Sequence, residues 1–118
     1  MKREFMTGKI HRATVTAADL GYEGSLGLDE ELMKAADLHP YQRVDVYNVT
    51  TGARFSTYLI KAEGGSGTVA IYGAAAHLAK RGDKVIIAAY ALLDDDELEF
   101  FVPKAIHVDD RNRIQEIR

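Results

Sequence analysis

Two runs of alternating apolar and polar residues, RVDVYNV (43–49) and ARFSTYLI (53–60), flank a Thr-Thr-Gly turn. Gly52 can take up the left-handed conformation there and close a hairpin. Upstream, KIHRATVT (9–16) is rich in β-branched residues and predicts a strand with Lys9, His11 and Ala13 on one face, leading into the polar loop AADLGYEG (17–24). TVAIY (68–72) predicts another strand. KVIIAAYALL (84–93), apolar almost throughout, predicts a strand buried on both sides. Period-3.6 spacing of Leu32, Met33 and Ala36 predicts a short helix over 30–38, capped by Asp29 and stopped before Pro40. A second short helix is expected in GAAAHLAK (73–80), ending near Gly82. EGGSG (63–67) reads as a flexible connection, and DDDELE (94–99), with five acids in six positions, as a solvated loop. The tail KAIHVDDRNRIQEIR (104–118) reads as two short strands around a turn at 110–112. The sum is a single mainly β domain over 1–118, with six to eight strands and two short helices. A small closed barrel protects that many strand edges best.

Composition narrows the chemistry. The 118 residues suit one core burying roughly two thirds of the unfolded surface. With 47% hydrophobic and 28% charged residues, the chain has the make-up of an ordinary globular protein. No apolar run approaches the roughly 18 residues of a membrane span and no signal-peptide core follows the N-terminus, so a cytoplasmic protein without membrane association is expected. The absence of cysteine excludes disulfides, thiolate nucleophiles and Cys-based metal sites. A net charge of −3 offers no basic field for a nucleic acid. His11, His39, His77 and His107 lack the spacing of a metal pair, so no metal is expected. No G-x-S-x-G elbow is present, and EGGSGT lacks the lysine of a phosphate loop and precedes a strand.

What remains is a set of short motifs: KIHR, YEGS, NVTTGARFSTY and GAAAH. In this order and spacing, over residues 9–90, they resemble the bacterial aspartate 1-decarboxylases, self-processing pyruvoyl enzymes that make β-alanine for pantothenate synthesis. The resemblance implies a closed six-stranded β-barrel of the double-psi type with two or more short helices. It also implies a homotetramer with sites between subunits and L-aspartate as substrate. In that family the Gly-Ser bond of EGS cuts itself, here between Gly24 and Ser25, giving a β chain of 1–24 and an α chain of 25–118.

The residues make sense of that cut. The Ser25 hydroxyl is one carbon from its own backbone, so it can attack the Gly24 carbonyl through a five-membered ring and form an ester. Loss of the α-proton then expels the Gly24 carboxylate, and hydrolysis leaves a pyruvoyl group on residue 25. Glycine before the serine lets the backbone bend into the strained geometry of attack. The cofactor is then the covalent pyruvoyl group, with no metal and no pyridoxal phosphate. Aspartate's amine condenses with its ketone as a Schiff base that draws off the electrons left by CO2.

The resemblance further assigns Tyr58 as proton donor, Thr57 as oxyanion partner, Arg54 and Lys9 as carboxylate partners, and the backbone of Gly73, Ala74 and Ala75 as a substrate contact. His11, Tyr22 and Tyr72 take supporting positions. For Gly73–Ala75, close helix packing is an equally good reading of the residues themselves. A regular strand puts Arg54, Ser56 and Tyr58 on one face and Thr57 on the other. Both faces serve one site only if the strand bulges, twists or ends near 57, or if its faces serve different subunits. Tyr72 stands where the family has asparagine, and Gly21 where a larger residue is common; Tyr72 is expected to alter processing while keeping activity. Two alternatives remain: an uncleaved barrel binding a small molecule or protein, and a proenzyme needing a maturation factor.

Overall fold

The computed structural model describes residues 1–118. It begins with strands β1 (Arg3–Thr14), β2 (Ala17–Asp19) and β3 (Ser25–Asp29), helix α1 (Glu30–Ala35), and strands β4 (Arg43–Asn48), β5 (Arg54–Ala62) and β6 (Val69–Tyr72). A 3-10 helix (Gly73–His77), β7 (Lys84–Leu93), α2 (Asp95–Leu98), β8 (Lys104–Val108) and β9 (Ile114–Ile117) complete the chain. The strands join in the order β2-β6-β3-β5-β4-β7-β1-β8-β9, so the fold is mainly β with short helices. The closed six-stranded arrangement is not seen in this order, which has nine strands and ends on β2 and β9. Those end strands are only three and four residues long, which limits the exposed edges. No helix is long and apolar enough to cross a membrane.

Several expectations for individual segments change. The loop 17–24 contains β2, parallel to β6, and the unassigned SLGLD forms β3, buried at every position and thus without alternation to betray it. The acidic stretch winds one turn of helix, α2, because Asp94 and Glu97 close a reciprocal capping box. GAAAHLAK forms only the five-residue 3-10 helix. β7 is buried on both faces only around Ile87–Ala89, and Tyr90 and Leu92 face solvent.

Two irregularities matter for the site. In β1 the register shifts between Ile10 and Ala13, with Arg12 at φ 61°, so Ala13 joins Ile10 inside while Lys9 and His11 lie on the half-buried side. The expectation of Lys9, His11 and Ala13 on one face fails at that bulge. β5 instead runs regularly through two partners, pairing with β4 up to Tyr58 and with β3 from Leu59 onward.

Ile10, Leu26, Leu28, Leu59, Ile71, Ile87 and Ile106 form the centre of the core. Each such side chain contributes about 1.5–3 kcal/mol by leaving water. The glycine-rich connection is not loose: buried Asp29 accepts from the backbone N–H of Gly65 at 3.0 Å and Gly67 at 2.8 Å while capping α1 through Glu31 N–H at 2.8 Å. One carboxylate thereby fixes the end of β3, the start of α1 and the 63–67 loop.

Candidate active site

Ser25 opens β3 and is 4% exposed, whereas Gly24 sits on the exposed turn before it. Its place is fixed on both sides, because β3 lies parallel to β5 and antiparallel to β6, with Ser25 directly opposite Tyr72. The Ser25 hydroxyl donates to the carbonyl of Glu23 at 3.3 Å, one peptide upstream of the proposed cut. This is a long, weak bond that a side-chain rotation gives up at small cost.

Gly73 holds the scissile turn from the other side. It has φ +75°, and a Cβ there would stand 2.6 Å from both the Cα and the N of Gly24. Gly73 thus packs closely, against the very segment that would be cut. Gly73→Ala is expected to slow self-cleavage ~10-fold or more, since left-handed backbone alone costs a non-glycine residue about 1–2 kcal/mol and the Gly24 backbone must also shift. A time course of chain cleavage on denaturing gels measures this, and an unchanged rate would remove Gly73 from the site.

Ser25 looks into a cavity of about 660 Å³ lined by Tyr22, Glu23, Tyr41, Tyr58, Ile60 and Tyr72. Tyr58 is delivered by β5 at the residue where that strand passes from β4 to β3, and its ring stacks on Tyr41 with centroids 6.4 Å apart. Tyr22 meets Tyr72 edge-on at 5.5 Å. Phenols thus dominate the walls, and Glu23 is the one charged residue among them.

The other assigned residues lie elsewhere in the chain's own surface. Arg54 is four residues from Tyr58, about 13 Å along the strand. Its guanidinium lies 4.2 Å from the centre of the Tyr47 ring, in a shallow hollow shared with Arg43, Asp45 and Ser56. Beside it, Tyr47 and Tyr90 share a hydroxyl hydrogen bond of 2.7 Å, which, with burial, pushes the Tyr90 phenol up to about 12.

Thr57 faces away from Tyr58 and pairs with Val44; no bulge in β5 brings the two together. Lys9 and His11 stand on β1, with Lys9 Nζ 3.4 Å from His11 Nδ1 and the His107 ring 4.8 Å from that of His11. Burial and then the charges of Lys9, His107, Arg12 and Arg118 hold His11 below the usual histidine range, which favours the neutral ring able to accept from Lys9. Ala74 is exposed and Ala75 packs against the core. No group of three histidine or carboxylate side chains gathers as a metal cluster.

Sequence reasoning missed three wall residues. Ile60 was readable, being two residues from Tyr58 on the same strand face. Glu23 and Tyr41 were not, because each reaches the cavity from a loop, and Tyr41 does so with φ +69°.

A family model described as aspartate decarboxylase matches residues 1–115. The aspartate 1-decarboxylase of Ralstonia nicotianae is 50% identical over 118 residues, covering 100% of this chain and 98% of that protein. Its counterpart from Syntrophotalea carbinolica is 54% identical over 112 residues, or 95% of this chain and 86% of that one. The Bordetella avium protein of the same name is 49% identical over 118 residues, covering 100% and 97% of the two chains.

Proposed function

The chain belongs to the aspartate decarboxylase family, whose carboxy-lyase reaction releases CO2 from aspartate and leaves β-alanine, and we propose that it builds its own catalytic group by cutting Gly24–Ser25. The observation that carries this reading is a buried Ser25 at the wall of a tyrosine-lined cavity, with Gly73 packed on the backbone of Gly24.

Cleavage uses only this chain's atoms and one water. Ser25 Oγ turns from the Glu23 carbonyl to the Gly24 carbonyl carbon; the C–N bond breaks, the nitrogen takes the hydroxyl proton, and Gly24 becomes an ester of Ser25. Removal of the Ser25 α-proton expels Gly24 as a carboxylate, and water then replaces the nitrogen, which leaves as ammonia. Thr57, which faces away from Tyr58 on β5, supports the oxyanion of the first step in a neighbouring chain, a role worth about 3–4 kcal/mol for a well-aimed donor. The surroundings of residue 25 fit the resulting pyruvoyl group, since the position is buried yet opens on a cavity sized for a small ligand. That ketone supplies a covalent anchor for the substrate amine and a sink for the electrons released with CO2.

The remaining work falls to side chains. Tyr58 faces the same cavity and returns a proton to the former α-carbon. Arg54 grips one substrate carboxylate as a planar fork and Lys9 holds the other as a point charge. The N–H groups at Gly73–Ala75 orient the substrate, and His11 directs Lys9.

Arg54 lies outside the cavity that Tyr58 lines, with its guanidinium on the Tyr47 ring, and no residue of β1 lines that cavity. Each site is therefore completed by Arg54 and Lys9 of a neighbouring chain in a homotetramer. The mouth has room for that neighbour, since Tyr22 is 64% and Tyr41 78% exposed.

Borohydride added during turnover is expected to attach the reduced decarboxylation product or the substrate to the 25–118 chain and to abolish activity. Labelling of lysine instead, or of nothing, would contradict a carbonyl on residue 25.

A further inference from the structure

We infer that Gly27 is the seat that holds the Tyr72 ring clear of Ser25, so that these two residues together set the room in which residue 25 reacts. This deepens the proposed self-cleavage at Ser25 and rests on it. Ser25 and Gly27 lie two residues apart on β3 and so share one face. On the antiparallel neighbour β6, Tyr72 stands directly opposite Ser25, and Gly27 is opposite Ala70. An aromatic side chain opposite residue 25 has two places to lie: upright beside its direct partner, or tilted diagonally over residue 27.

The ring takes the diagonal. A Cβ on Gly27 would stand 3.2 Å from Tyr72 Cε2 and 3.7 Å from Tyr72 Oη, so the phenol fills the space that any other residue at 27 would claim. The same Cβ would touch Ala70 Cβ at 3.6 Å, which closes that side. The Tyr22 and Tyr72 rings meet edge to face with centroids 5.5 Å apart, which supports the Tyr72 ring over the cavity. A ring pushed a few tenths of an ångström off Gly27 shifts within the cavity that it shares with Ser25. Tyr72 is tolerated opposite the reacting residue because glycine lies diagonal to it. Tyr72 acts as a positioning residue, and Gly27 acts through Tyr72.

The test is a double-mutant cycle on the full chain with Gly27→Ala, Tyr72→Asn and the pair, following the rate of chain cleavage by mass spectrometry and the thermal midpoint of each protein. Gly27→Ala is expected to slow cleavage roughly three- to tenfold, the factor that forcing a ring off its preferred rotamer costs. In the Tyr72→Asn background the same change should alter the rate less than about twofold, because no ring is left to displace. Should Gly27→Ala alone not fold, the pair is compared with Tyr72→Asn, and equal cleavage rates are the expected result.

An equal slowing in both backgrounds, or none in either, would overturn the inference. So would a shift confined to the thermal midpoint. A wild-type chain that never cuts would defeat self-cleavage and this inference together, whereas a wild-type chain that cuts while the cycle shows no coupling defeats the inference alone.

Discussion

Ser25→Ala yields one unbroken chain that makes no β-alanine. The substitution removes a single hydroxyl whose hydrogen bond, to the Glu23 carbonyl, is 3.3 Å long. A bond of that kind contributes at most about 0.5–1.5 kcal/mol, so the fold persists. Activity does not, because the attacking atom is missing and the cavity then contains no carbonyl to take up an amine. Mass spectrometry reads the chain and a β-alanine assay reads the activity. A Ser25→Ala protein that still divides after Gly24 would mean that an external protease makes the cut. One that stays whole yet decarboxylates aspartate would mean that residue 25 is not the source of the catalytic group.

Tyr58→Phe separates the two reactions. The proposed self-cleavage draws on Ser25, Gly24, Thr57 and the backbone around the cut, none of which loses a group. Decarboxylation also needs a proton delivered to carbon, and a positioned general acid contributes typically 10²–10⁴-fold. The expected enzyme is therefore cut into its two pieces, with its turnover number lowered by roughly two orders of magnitude or more. The phenyl ring can keep the stacking of residue 58 on Tyr41, so the loss falls on chemistry more than on folding. Pre-steady-state release of CO2 followed by slow release of β-alanine would place the defect at the protonation step. Normal turnover would remove Tyr58 from the donor role.

The fold was readable where side-chain pattern and structure share a cause. The runs around Gly52 alternate because β4 and β5 have one face toward the core, and Asp29 caps α1 as its position before an apolar period suggests. β3 was not readable, because a strand buried at all five positions has no alternation to detect. The bulge at residues 11–12 was equally silent, being a backbone event that changes which face follows without changing residue types.

The candidate site was legible only in part, for a related reason. Ser25, Tyr22, Tyr58 and Tyr72 gather around one cavity because β3, β5 and β6 are neighbours. Arg54, Lys9 and Thr57 do not join them within the chain, as the alternation of β5 already warned for Thr57. Motifs name candidate members of a site, but the distances between them belong to the assembled sheet. Gly27 carries no motif at all. Its part emerges only from the cross-strand diagonal that places it under Tyr72.

The most direct test is the whole-protein mass of freshly purified wild-type chain, produced alongside the proteins of its native host so that any maturation factor is present. The account predicts two species, residues 1–24 ending in a free carboxylate and residues 25–118 lighter by one ammonia than a serine-started chain. A single species with the mass of the intact 118-residue polypeptide would contradict it.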